Sequence, residues 1–421
     1  MHVLLNPVGS HGDVHPFIGL GRALAARGHQ ITLITAAPFR GLAEANGWAF
    51  AQVGTDDFFE TMIGNPDLWH PRKSISLLFS DSGIPQTLRE SFAHIQSRYV
   101  RGDTVLVAGS LGMAARIAYD ALGIPLATVH LQPSLFASVE APPVFATVRF
   151  RGWWPSWFRR FLYWFGDRAL VDPKLGPHVN AFRQELGLAP VRRILGRWLH
   201  SPQRVIGFFP DWYGSAGDWP PQVRTTGFVF YDREENQELP PNVRSFLDAG
   251  TPPVVFTFGS AMRFAGPYFA VAVEACRRLG IRGLLLGKGR DVVPPDLPAS
   301  VLHAEYAPFS LVLPRAAAVV HHGGIGTSAQ AMQAGIRQLI VPFAFDQPDN
   351  ADRLARLGVA RVVYPRAFNT TNVATELKTL LTAPEVDRAC QVVAARFAGT
   401  DPLEETCRLV EELRGTDRPV A

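Results

Sequence analysis

The sequence predicts an α/β protein built from two Rossmann-like, doubly wound parallel sheets that face each other across a cleft. Three observations carry this expectation. Short apolar runs alternate with helical patterns from the first residue to about residue 225. The same alternation restarts near residue 253, and a polar, helix-poor stretch separates the two series. A chain of 421 residues, 47% hydrophobic and 19% charged, is also long enough to bury two cores.

Taken in order, residues 2–6 are an apolar run and residues 9–12 a glycine turn. Residues 16–27 form a helical pattern stopped by Gly28, and residues 30–35 are apolar again, which together read as a βαβ unit. Further buried strands are expected at 104–108, 126–131 and 205–209, completing a first lobe over residues 1–225. Residues 226–241, with the charged run 231–237 and then Pro240-Pro241, suit a linker. A second lobe over residues 242–400 is expected to place strands at 253–258, 283–286, 317–321 and 338–341. A last helix, at about 401–414 within residues 401–421, is expected to cross back to the first lobe. Sheets of this kind bind ligands at the carboxyl ends of their strands, so the cleft is where the site should lie.

Composition excludes several classes. The formal net charge is only +4 and the Lys and Arg residues are dispersed, which is no footprint for a nucleic acid partner. Cys276, Cys390 and Cys407 are odd in number and lack metal-ligand spacing, so neither a disulfide framework nor a zinc site is expected. Residues 1–7 have no basic leader and read as a strand rather than a signal peptide. No stretch reaches the ~20 apolar residues of a membrane span. A cytoplasmic protein is the expectation.

The segment from His321 to Leu354, HHGGIGTSAQAMQAGIRQLIVPFAFDQPDNADRL, is the most informative. It leaves the end of an apolar strand and opens a helix predicted over 327–334. Backbone N–H groups at such a helix start bind phosphate, and glycines let the backbone approach it. Asp346-Gln347 follows the next strand and so emerges on the same sheet edge, where an adjacent carboxylate and amide suit sugar hydroxyls. The plainer reading is a structural glycine turn followed by an Asp-Gln that caps a helix beginning near Asn350.

This segment resembles the donor signature of the small-molecule glycosyltransferases of plants and bacteria, which have the GT-B fold. The likeness extends to Tyr306-Ala307-Pro308, at the place of an aromatic that stacks on the nucleotide base. The resemblance implies that His322 and Thr327 contact the diphosphate, that the Gly324 to Gly326 backbone lines it, and that Asp346 and Gln347 hold the sugar. It places Ser260 toward the phosphates as well, and leaves open which of His321 and His322 meets them. Where the family commonly carries a ribose-binding glutamate, this chain has Gln330, a departure compatible with a deoxyribose nucleotide such as dTDP. A nucleotide sugar is then a co-substrate, and no cofactor is implied.

The turn GSHGDVHPFIGL, from Gly9 to Leu20, resembles the family's first-lobe loop, which carries a His or an Asp at the position of Asp13. Inverting transfer needs a general base to take the acceptor's proton, and Asp13 is the candidate, with Gly12 and His11 beside the acceptor. The competing reading is that Asp13 caps a helix entered at Pro16. His11 and His15 are the alternative bases. No Asp-x-Asp pair occurs, so a metal-independent reaction is expected, with the helix terminus stabilising the leaving diphosphate.

Residues 145–165 interleave Trp153, Trp154, Trp157 and Trp164 with Arg149, Arg151, Arg159 and Arg160. Such a stretch suits a membrane interface, and with it a peripheral position at the inner face of the plasma membrane. It equally suits a wall of an apolar acceptor pocket involving Trp153 and Trp154, or a helix docked on the core. Over most of its length the chain is similar to the rhamnosyltransferase B chains of rhamnolipid synthesis, in residues 64–69 (GNPDLW) and 198–203 (WLHSPQ) among others. That likeness implies transfer of L-rhamnose from dTDP-L-rhamnose to a 3-(3-hydroxyalkanoyloxy)alkanoate. The alternative donor is UDP-glucose, with a sterol or other hydrophobic acceptor. A nucleotide-sugar epimerase and a silent nucleotide-sugar-binding partner are the rivals from other classes.

Overall fold

The computed structural model describes all residues except 71–72, 75–76, 78–83, 147, 232–237, 260–264 and 419–421. Part of the linker, 232–237, and the candidate Ser260 therefore lie outside the described residues.

The chain forms two parallel sheets. The first holds β1 (His2–Asn6), β2 (Gln30–Thr35), β3 (Ala49–Gln52), β4 (Thr104–Ala108), β5 (Leu126–His130), β6 (Arg204–Gly207) and β7 (Val223–Thr225). Their order is β3-β2-β1-β4-β5-β6-β7. The second holds β8 (Val254–Thr257), β9 (Gly283–Leu286), β10 (Val301–Ala304), β11 (Ala318–His321), β12 (Arg337–Ile340) and β13 (Ala360–Val362), in the order β10-β9-β8-β11-β12-β13. Every pairing is parallel. The central strands are continuous apolar runs because helices cover both faces of each sheet. β3, β7, β10 and β13, absent from the sequence expectation, are all edge strands. They run to three or four residues, and polar side chains interrupt them.

The order reverses between β1 and β4 in the first sheet and between β8 and β11 in the second. Loops leaving the two strands at such a reversal diverge and open a crevice. Asp13 and His322 follow β1 and β11, so each lobe presents its candidate residue at its own switch point.

The lobes also touch directly. Phe136, Phe209 and Tyr213 of the first lobe and Phe228 of the linker pack in one buried cluster with Met332, Ile340, Ala351 and Leu354 of the second. The helix Pro402–Glu411, capped by the Asp401 side chain accepting from the Glu404 N–H (3.0 Å), lies on the helix His11–Ala26. Cys407 and Val410 enter the core there with Val14 and Ile18. Arg27 reaches Glu404 at 2.6 Å and Glu411 at 2.8 Å, and farther on Tyr99 donates to Asp417 at 2.6 Å. The chain's end is thus held on the first lobe.

Candidate functional site

The first-lobe turn differs from its expected form. The helix begins at His11, with Ser10 at the N-cap and Pro16 inside it. Asp13 is therefore not the N-cap but the third residue of the helix, where it takes part in capping as the partner of Ser10 in a capping box. Ser10 is the better start signal, because its extended backbone leads into the first turn while the Asp13 carboxylate reaches back to it. Asp13 Oδ2 accepts from the Ser10 N–H at 2.8 Å and from the Ser10 hydroxyl at 3.1 Å. Gly9, at φ +136°, lies so close that any Cβ there would overlap the carboxylate. Burial raises the Asp13 carboxyl above its ordinary range, against the lowering effect of the Ser10 bonds. A partly buried carboxylate held in one place by its own turn is suited to proton acceptance. Gly12 is exposed beside it. The His11 ring packs on His15 and Phe39, with centroids at 5.3 and 5.0 Å, and His15 packs on Tyr231.

In the second lobe the two adjacent histidines separate cleanly. His321 ends β11 and is fully buried; its Nε2 faces Gln338 Oε1 at 3.0 Å and its Nδ1 accepts from the Gly323 N–H at 3.1 Å. With both nitrogens committed, His321 has none left for a phosphate, contrary to the expectation that left it a candidate. Its neighbour, one residue past the strand, turns the other way. The His322 ring lies between two glycine backbones: a Cβ on Gly259 (φ +95°) would come within 3.0 Å of it, and one on Gly324 would collide with Nε2. Nδ1 of His322 is buried without a hydrogen-bond partner, and burial lowers the ring's pKa to about 4. The imidazole is therefore neutral at physiological pH and offers a hydrogen bond rather than a charge.

The helix that follows runs Ile325–Gln333, starting two residues before the expected 327. Gly324 at its N-cap supplies no side-chain oxygen, and no acidic residue stands in its first turn. Its leading amides keep the partial positive charge that an external anion can use. Gly326, Thr327 and Gln330 are spaced on one side of this helix, with Gly326 exposed and the other two half-buried. Tyr306 follows β10 and is 44% exposed, presenting a ring at the same sheet edge, whereas Ala307 beside it is buried.

Asp346 stands at the N-cap of the helix Gln347–Arg356 without making a cap bond through its side chain. Its carboxyl is pushed up to about 7, chiefly by burial, with the charges of Asp13 and Asp349 adding and the bond from Asn350 opposing. Gln347 is buried, and its Oε1 accepts from the N–H groups of Phe343 (2.8 Å) and Ala344 (3.1 Å), so its carbonyl end shapes the loop instead of facing a ligand.

Three features here were not foreseen. Phe345 has φ +57°, a conformation costly for a residue with a Cβ, and its ring meets Trp69 of the first lobe edge-on at 6.1 Å. Asn350 is fully buried and holds Asp346. Gly259 makes room for His322. Trp69 lies in the stretch 64–69 and Asn350 three residues beyond Gln347, so motif proximity was the available signal for both.

The aromatic stretch folds into a helix, Ser156–Gly166, that docks little of itself on the core. Trp153 is 80% exposed and Trp157 69%, and Phe161, Trp164 and Phe165 are also exposed; Trp154 is half-buried against Phe150 and Phe158. A docked core helix is thereby excluded, and Trp153 stands open to solvent. No helix among the described residues is long and apolar enough to cross a membrane.

Two parallel Rossmann-like lobes with this cleft define a GT-B glycosyltransferase fold. Known structures of that class agree over nearly the whole chain. The glycotransferase of kitacinnamycin superposes with a TM-score of 0.76 at 19% identity, covering 98% of this chain and 99% of that one. Spinosyn rhamnosyltransferase SpnG complexed with thymidine diphosphate gives 0.67 at 20% identity, covering 97% and 100%. A model of the glycosyltransferase family 28 N-terminal domain matches residues 3–138, and one of the C-terminal domain of erythromycin biosynthesis protein CIII-like matches residues 287–413. O-mycaminosyltylonolide 6-deoxyallosyltransferase of Streptomyces fradiae is 31% identical over 420 residues, which is 98% of this chain and 97% of the relative. The chain belongs to this family of small-molecule glycosyltransferases.

Proposed function

We propose that the protein is an inverting, metal-independent glycosyltransferase that moves L-rhamnose from dTDP-L-rhamnose to the hydroxyl of an apolar acceptor of the 3-(3-hydroxyalkanoyloxy)alkanoate type. The observation that carries the reading is an uncapped helix start beside an unpartnered His322 nitrogen in the second lobe, with Asp13 held at the switch point of the first. The acceptor oxygen attacks the anomeric carbon from the first-lobe side and Asp13 takes its proton. The bond to the diphosphate breaks on the opposite face, and the leaving group's charge is met by the helix amides and the His322 N–H. Asp346 holds sugar hydroxyls, Tyr306 stacks on the base, and Thr327 and Gln330 face the phosphates and the pentose. Thymidine diphosphate bound to the similar SpnG supports a dTDP donor.

The exposed aromatic helix supports a lipid-like acceptor delivered at a membrane surface. Trp and Phe rings of this exposure sit at headgroup depth, and Arg160 and Arg168, both exposed, would meet anionic lipid. Flotation with anionic liposomes should carry the wild type and leave a Trp153/Trp157/Trp164-to-Ala variant behind; equal flotation refutes the membrane contact.

Purified protein incubated with the hydroxyalkanoyl acceptor and either dTDP-L-rhamnose or UDP-glucose tests the reaction by mass spectrometry. Glycosylated acceptor with dTDP-L-rhamnose supports the reading. Product from UDP-glucose alone replaces the donor, and sugar turnover without any aglycone conjugate points to an epimerase.

A further inference from the structure

We propose that Tyr213, a first-lobe residue, is a positioning residue for the donor sugar bound in the second lobe. The inference rests on reading Asp346 as the sugar ligand. Tyr213 stands in the loop after β6, in a turn closed by its N–H donating to Pro210 O at 3.0 Å. Its hydroxyl crosses to the second lobe and donates to Asn350 Oδ1 at 3.0 Å. The two N–H bonds of the Asn350 amide then go to Asp346 Oδ2 at 2.6 Å and to the Gly323 carbonyl at 2.9 Å. Both N–H groups and the carbonyl of that amide are fixed in direction, since an amide that accepts from a phenol must turn its N–H groups the other way.

Tyr213 is 4% exposed and Asn350 0%, so water does not compete for these bonds. The same helix is gripped at other points from the first lobe, among them Arg149 pairing with Asp352 at 2.6 Å. Arg353 donates to the Tyr213 carbonyl at 2.9 Å, and Asp349, paired with Arg353 at 2.7 Å, accepts from the Val144 N–H at 2.9 Å. The first turn of the helix Gln347–Arg356 thus serves as both lobe interface and sugar holder. The chain Tyr213–Asn350–Asp346 also reaches the turn behind His322, so the lobe arrangement sets the aim of the sugar carboxylate. Removing the phenol should disturb the sugar contact while leaving the nucleotide contacts, which come from other residues, in place.

Calorimetry with dTDP and with dTDP-L-rhamnose tests this on wild type, Tyr213→Phe, Asn350→Ala, the double variant and Asp346→Asn, with melting temperatures measured alongside. Tyr213→Phe keeps the packing and is expected to weaken dTDP-L-rhamnose by about 3–10-fold while dTDP stays within about twofold, the loss of one buried hydrogen bond. The double variant should bind the sugar nucleotide no more weakly than Asn350→Ala alone, because both act through one amide. Unchanged sugar-nucleotide affinity in Tyr213→Phe, equal weakening of both ligands, or losses that multiply in the double variant would each overturn the proposal. If Asp346→Asn weakens dTDP-L-rhamnose and Tyr213→Phe does not, only the positioning role fails. If Asp346→Asn has no effect, the sugar assignment fails and takes the positioning role with it.

Discussion

The turn after β1 and the turn after β11 are the same local unit, a parallel strand at a switch point entering a helix, yet they are finished in opposite ways. The first is closed from within: Ser10 caps the helix and Asp13, in its first turn, binds back to Ser10. The second is left open, with Gly324 at the cap and no acidic residue in its own first turn. A helix start that has its own anion repels a second one, whereas a bare start attracts it. The contrast supports the proposed division, with the proton acceptor on one lobe and the diphosphate on the other, without appeal to any motif.

The hardest blow to this contrast would fall on Asp13. Asparagine there keeps the oxygen that accepts from Ser10 and removes the site for the acceptor's proton, so Asp13→Asn should lower turnover by about 10²–10⁴. Calorimetric affinity for dTDP should stay within about twofold of wild type, since the proposed nucleotide contacts are on the other lobe. Turnover close to wild type would return Asp13 to a purely capping role.

Histidines 321 and 322 sharpen the second half of the comparison. His322→Ala should weaken dTDP about tenfold with little change in melting temperature, as one neutral hydrogen bond to a charged ligand is lost. His321→Ala should do the reverse. It strands the buried Gln338 carbonyl and the Gly323 N–H, a destabilisation of about 2–4 kcal/mol in denaturant titrations. If the two variants exchange phenotypes, the orientation of the phosphate turn is wrong.

Asp346 makes the comparison pH-dependent. Its carboxyl titrates near 7 in the fold, above the ordinary value of 3.8, so the fold favours the protonated form. The native state is then least penalised below about pH 4, and the cost of the buried charge grows as pH rises to about 7 and is complete above it. Asp346→Asn cannot ionise. It should be more stable than wild type at pH 8, by about 1–3 kcal/mol once partial exposure is allowed for, and no more stable at pH 4. Thermal melts at the two pH values measure the difference, and a gain independent of pH would contradict the burial of this charge.

How much of this was legible in the sequence depends on the range of the physics involved. Central strands are read from their apolar runs because both faces are covered; β3, β7, β10 and β13 escape because an edge strand with a solvated side carries no such run. The glycine turns after β1 and β11 mark themselves by composition. Choosing between His321 and His322 requires knowing where β11 ends, since one residue past the strand reverses the side chain's direction. Ser10 went unrecognised as the cap because Pro16 offered a stronger but false helix start. Tyr213 and Asn350 are 137 residues apart, and nothing local in either announces the bond between them. The left-handed Phe345 is held by tertiary packing at a place where no glycine signals a turn.

The smallest effect is expected at Gln330, one turn along the open helix from Gly326. A glutamate binds a vicinal diol with two charged acceptor oxygens, whereas an amide offers one acceptor and one donor group, so an amide at the proposed pentose contact discriminates weakly in favour of a ribose. Gln330→Glu should therefore shift the ratio of UDP to dTDP affinity toward UDP, by about 3–10-fold for one or two charge-assisted bonds partly offset by solvation. The shift should come from tighter UDP, not weaker dTDP, because the deoxyribose lacks the 2′-hydroxyl that would gain a bond. Since the side chain is only half-buried, no stability change beyond about 0.5 kcal/mol should accompany it. Paired titrations with UDP and dTDP on both proteins read the ratio directly. An unchanged ratio would mean that Gln330 does not reach the pentose, and the preference for a deoxynucleotide would have to reside elsewhere along the helix Ile325–Gln333.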